Sequence, residues 1–117
     1  MKRLHALLVS SVFTLLCTLS FAADVDGDWS MTLSAPEGTT YITMTISVDG
    51  EQATGTTADS EVSGTYKNGK LKLEGKLYLA DGGYASDMEM EAELRGEKLK
   101  GTMGWDTYTL TVDGSRK

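Results

Sequence analysis

The sequence predicts an all-β fold: about eight antiparallel strands in up-and-down (meander) order, closed into a β-barrel and preceded by a signal peptide. Three observations predict it. Apolar and polar residues alternate from Gly27 onward, turn dipeptides such as Asp49-Gly50 and Asn68-Gly69 recur at short intervals, and glycines recur on the apolar side of the strands.

Residues 1–22 read as a secretory signal peptide. Lys2, Arg3 and His5 precede an apolar run from Ala6 to Leu19, and no acidic residue comes before Asp24. The run falls short of the ~20 residues a spanning helix needs, and Ser10, Ser11, Thr14 and Thr18 interrupt it. Ser20 and Ala22 supply the small residues of a cleavage site, which places the cut after Ala22, or failing that after Ala23. Leu16 before Cys17 argues against lipidation. The expectation is an exported bacterial protein, periplasmic or secreted, with residues 23–117 as one domain and no membrane association after cleavage.

The strands follow in order. Trp29, Met31 and Leu33 are the inward set of the first, and Pro36-Glu37-Gly38 is the loop after it. Ile42, Met44, Ile46 and Val48 face inward on the second, which Asp49-Gly50 ends with a dipeptide suited to a tight hairpin. The third has a weak inward set, Ala53, Gly55 and Thr57; the fourth has Val62, Gly64 and Tyr66, closed by Asn68-Gly69. Leu71, Leu73, Gly75, Leu77 and Leu79 mark a long fifth strand, turned by Asp81-Gly82. Met88, Met90, Ala92 and Leu94 mark the sixth, turned by Gly96-Glu97. Leu99, Gly101, Met103 and Trp105 mark the seventh, and Tyr108, Leu110 and Val112 the last.

Short connections favour a meander over a Greek key, and closure removes the edges at which sheets aggregate. Inward Gly55, Gly64, Gly75 and Gly101 fit a barrel in two ways: strands bend at glycine, and a narrow interior lacks room for side chains. On the outside, Lys70, Lys72 and Lys76 of the fifth strand are expected opposite Glu93, Glu91 and Asp87 of the sixth, with Glu74 and Glu89 left as a like-charge pair.

Cleavage removes His5 and Cys17, so the domain has neither imidazole nor thiol, and the usual zinc, disulfide and triad chemistries lose their residues. Without Lys2 and Arg3, 9 of the 11 basic residues remain against 17 acidic ones, a net charge of −8. Such a balance repels nucleic acid and anionic membranes. Carboxylates fall on outer faces and turns, where burial cannot tune them for acid–base work, so no enzyme activity and no cofactor are expected.

Four segments, Gly27-Asp28-Trp29, VDGEQATGT at 48–56, YKNGKLKLEG at 66–75 and LRGEKLKGTMG at 94–104, give residues 27–112 a further character. This stretch resembles a small secreted bacterial β-barrel domain, calycin-like in outline, that occurs alone or appended to amidohydrolase-like enzymes. A Gly-x-Trp start also opens lipocalins and avidins, and the resemblance implies a small-ligand pocket in a barrel. Avidin-type sites need polar side chains inside the barrel, and this interior has almost none.

The candidate lining of such a pocket is Trp29, Tyr66, Met88, Trp105 and Tyr108, around a small apolar ligand. The alternative is a fully packed barrel that acts as an accessory or interaction module and meets a protein partner through outer-face aromatics such as Tyr41, Tyr78 or Tyr84. A remote alternative is a Cu(I) site from Met31, Met44, Met88, Met90 and Met103, although all five fall on the inward face, where methionine fills cores. Asp24, Asp26 and Asp28 alternate as in a calcium loop, but Trp29 and Ala35 stand where such a loop needs glycine and glutamate, so a solvated tail is expected there. A monomer is expected.

Overall fold

The computed structural model describes residues 25–117. The expected signal peptide and its cleavage site lie outside the described residues, as do His5, Cys17 and Asp24. The strands are β1 (Gly27–Ala35), β2 (Gly38–Asp49), β3 (Gln52–Thr56), β4 (Glu61–Lys67), β5 (Lys70–Leu79), β6 (Tyr84–Arg95), β7 (Lys98–Trp105) and β8 (Tyr108–Arg116). Each is antiparallel to the next, and β8 pairs back onto β1 to close the barrel.

Turn chemistry sets this order. Asn68 (φ 54°) and Gly69 (φ 79°) are the two central residues between paired Lys67 and Lys70, the positive-φ geometry that matches strand twist. Pro36-Glu37, Gly50-Glu51, Gly96-Glu97 and Asp106-Thr107 are likewise two-residue turns. The second of these lies one residue later than the Asp49-Gly50 reading, because Asp49 itself pairs with Gln52 and Gly50 (φ 65°) takes the left-handed position. The β5–β6 connection is a four-residue loop rather than a tight Asp81-Gly82 turn, but the register is unchanged: Lys70, Lys72, Glu74 and Lys76 stand opposite Glu93, Glu91, Glu89 and Asp87. Of the opposite-charge pairs in that ladder, only Lys76–Asp87 closes, at 3.0 Å; Glu93 instead accepts from Arg95 at 2.9 Å.

Alternation sends the apolar residues inward. Trp29, Met31, Leu33, Met44, Ile46, Leu71, Leu73, Leu77, Met88, Met90, Leu99, Met103 and Val112 are all buried in one continuous core. Among the described residues no polar or charged side chain is buried, and no buried side-chain polar atom lacks a partner. Met31, Met44, Met88, Met90 and Met103 all lie in this core.

The inward glycines separate into the two expected classes. A Cβ on Gly64 would meet the Lys72 carbonyl oxygen at 1.8 Å, and one on Gly101 would meet that of Glu91 at 1.9 Å, so these glycines let neighbouring backbones close up where the wall bends. At Gly55 the obstacle is packing, with the Met44 sulfur 2.7 Å away.

Two expectations need correction. Val25 is buried, the Asp26 carboxylate accepts the Val48 N–H at 2.8 Å, and Asp28 accepts from Thr45 Oγ1 at 2.7 Å. Val25 and Asp26 are therefore held against the base of the barrel and Asp28 belongs to β1, so this stretch is not a solvated tail. Closure also does not remove every edge. β3 and β4 are short, so β2 is paired to β1 alone from Gly38 to Met44, and β5 is paired to β6 alone from Gly75 to Leu79.

Candidate functional site

A meander sorts its turns by end. The β1–β2, β3–β4, β5–β6 and β7–β8 connections lie at one end, here the mouth; the other three, and the start of β1, lie at the opposite end, the base. This sorting divides the candidate residues. Trp29, early in β1, and Tyr66, late in β4, belong to the base; Trp105 and Tyr108 flank the β7–β8 turn at the mouth; Met88 is buried in the core, paired with Trp105 and with Gly75. The structure brings Trp105 and Tyr108 together and keeps Trp29 and Tyr66 apart from them.

The base is sealed. Trp29 is fully buried, its indole N–H donates to the Val25 carbonyl at 2.9 Å, and the Arg116 guanidinium lies 4.5 Å from the ring centroid. Arg116 also donates to the Asp26 carbonyl and to Glu97, which ties the end of β8 to the residue before β1 and to the β6–β7 turn.

The mouth is built differently. Trp105 points inward, 4 % exposed, and its indole N–H donates to the Leu77 carbonyl at 2.7 Å. Its ring lies 4.9 Å from that of Tyr84 at 39°, and 6.2 Å from that of Tyr108 at 23°. Gly82 lets the β5–β6 loop lie on the indole, since a Cβ there would stand 2.6 Å from the ring edge. Tyr108 has the inward parity its strand predicts and pairs with Trp105, but β1 does not extend far enough to pair with it, which leaves it 43 % exposed. Tyr84 is not an outer-face residue: it pairs with Leu79 and shares the face of Met88 and Met90, 44 % exposed at the rim. The Tyr84 hydroxyl donates to the Asp106 carboxylate, which holds the phenol in its neutral form and pushes its pKa up to about 12.

These groups enclose a shallow bowl of about 500 Å³, with Leu33, Leu79, Leu110 and Trp105 as its apolar lining and Glu37, Thr40 and Asp81 among its polar lining. Thr40 Oγ1 donates to Asp81 across the gap between β2 and the β5–β6 loop. The arrangement can hold a flat apolar group against three aromatic rings and present acceptors at its edge. The sequence reading places Tyr84 on the outer face and Gly82 only in a turn, although sorting the turns by end puts both beside Trp105.

On the outer surface, Asp113 accepts from Lys100 at 2.9 Å, and that ion pair holds its carboxyl below the usual range. Among the described residues no three carboxylate, histidine or thiol groups cluster as metal ligands would. No family model, curated protein or solved structure matches this chain.

Proposed function

We propose that this chain is an exported, calycin-like barrel without catalytic activity, and that it binds a small molecule bearing an apolar or aromatic face at its mouth. The observation that carries this reading is the cluster of Tyr84, Trp105 and Tyr108 around an apolar bowl. Two half-exposed tyrosines beside a tryptophan are costly to leave against water unless something covers them. Binding inside the barrel has less support, because Trp29, Met88 and their neighbours already fill that space. The case against catalysis rests on chemistry: no histidine or cysteine follows Cys17, and the carboxylates lie on the outside.

Native mass spectrometry of the protein purified from its own envelope fraction tests the proposal. A small organic mass should be retained by the wild type and lost in Tyr84→Ala and Tyr108→Ala. A bare wild-type mass, together with no saturable binding of N-phenylnaphthylamine, would overturn it.

A further inference from the structure

The free part of β2 is unusual for an edge. From Gly38 to Val48 it carries no charge and no proline, although natural sheets blunt exposed edges with Lys, Pro or bulges. Its main-chain direction follows from its neighbours. Ala35 and Gly38 flank a two-residue turn, and the Val48 N–H points to the β1 side, where it meets Asp26. Even-numbered residues of β2 therefore face β1, and the N–H and C=O groups of Thr39, Tyr41 and Thr43 face the other way.

That side is a groove of about 570 Å³ between β2 and the end of β5, which meets the bowl at Thr40 and Asp81 and runs from there down the outer wall to Thr56. On its β5 wall, the Tyr78 N–H would meet β4 if β4 were longer; instead it donates to Ser60 Oγ at 2.8 Å. No side chain among the described residues does the same for Thr39, Tyr41 or Thr43. Tyr41, 76 % exposed, and half-buried Ile42 offer one outer and one inner contact to an added strand. Among the described residues, Asp59 and Asp81 are the charged groups that line the groove.

We propose that this groove is a strand-addition site for an extended peptide segment carrying lysine or arginine. The segment continues the line of β3 beyond Thr56, bonding its main chain to Thr39, Tyr41 and Thr43. An apolar side chain packs over Ile42, and a basic one meets Asp59 and takes the place of the Thr40 hydroxyl on Asp81, whose bond across the gap opens as the strand enters. Charge decides between occupants. A second copy would bring the same two carboxylates to the shared edge and a net charge of −8 on each domain, whereas a basic segment is attracted. The proposal goes beyond binding at the mouth and does not rest on it.

The test is calorimetric titration of the purified protein, at low salt, with a capped hexapeptide of alternating valine and lysine. Saturable binding is expected, weakened about tenfold or more when glutamate replaces lysine or when the peptide main chain is N-methylated. Tyr41→Pro removes an N–H that faces the groove and should abolish binding while keeping the fold, since proline is tolerated on an edge. Asp59→Asn should weaken binding and leave the melting temperature in place. No saturable binding to the wild type, or equal affinity for the N-methylated peptide, overturns the proposal. So does a concentration-dependent dimer with no peptide binding, which would make a second copy the occupant.

Discussion

Trp29 and Trp105 point into the same barrel from opposite ends, and the indole N–H of each donates to a main-chain carbonyl, Val25 for the first and Leu77 for the second. The pair explains how a chain with no disulfide and a small core holds a closed fold: each tryptophan plugs one opening without leaving its polar atom unpaired. The plugs are not equivalent. Trp29 is covered by Val25 and Arg116, whereas Trp105 is flanked by Tyr84 and Tyr108 under a shallow bowl.

Trp29→Ala should therefore destabilise the fold by ~3–5 kcal/mol through the cavity it leaves. Urea denaturation followed by circular dichroism measures this. An unchanged midpoint would place Trp29 outside the core.

The glycines make a sharper test of the wall. Gly64→Ala and Gly101→Ala each push a methyl group into a neighbouring backbone carbonyl, and each should cost ~1–3 kcal/mol or more. Gly104→Ala has open space and should be neutral or stabilise by up to ~1 kcal/mol. Equal effects at the three positions in thermal melts would contradict the close approach of the strands.

The like-charge pair Glu74–Glu89 interrupts a ladder that is otherwise of opposite sign, and nothing in the structure explains it. Glu74→Lys should raise stability by ~0.2–1 kcal/mol, with the gain shrinking at high salt. A loss of stability at low salt would show that Glu74 has another role.

The Tyr84–Asp106 bond gives a pH dependence with a definite sign. The folded phenol titrates at about 12, above its ordinary value of 10, so the bond's contribution is complete below pH 10 and is lost as pH rises towards 12. Tyrosinate absorbance should show one phenol titrating late, and Asp106→Asn should bring it back towards 10.

Much of this architecture is legible in the residues because alternation and turn chemistry are local. The inward sets of β1, β2, β5, β6 and β7 follow from period two alone, and the β5–β6 register follows from the turn centre whether the loop has two residues or four. The site is less legible, because parity says which side a residue faces but not how far along the wall it stands. Tyr108 and Trp105 are cross-strand partners of the same parity, yet Tyr108 is rim because β1 ends short of it, whereas Trp105 is core with β6 on its other side. Trp29 and Tyr66 face inward like Trp105, but stand at the other end. The free edge of β2 depends on β3 and β4 being short, and the weak inward set of the third strand was the one sign of it. The docking of Asp26 and Asp28 could not be read locally, since their donors are in β2.

The central claim is that the lumen is filled, so that a small molecule engages the mouth and not the interior. Two single-tryptophan variants, Trp29→Phe and Trp105→Phe, titrated with a small brominated aromatic alcohol, which quenches an indole only on contact, and followed by indole fluorescence, test it most directly. The account predicts saturable quenching of Trp105 in the first variant and no response from Trp29 in the second. Quenching of Trp29 at the same probe concentrations would mean that the probe enters the barrel, and would contradict it.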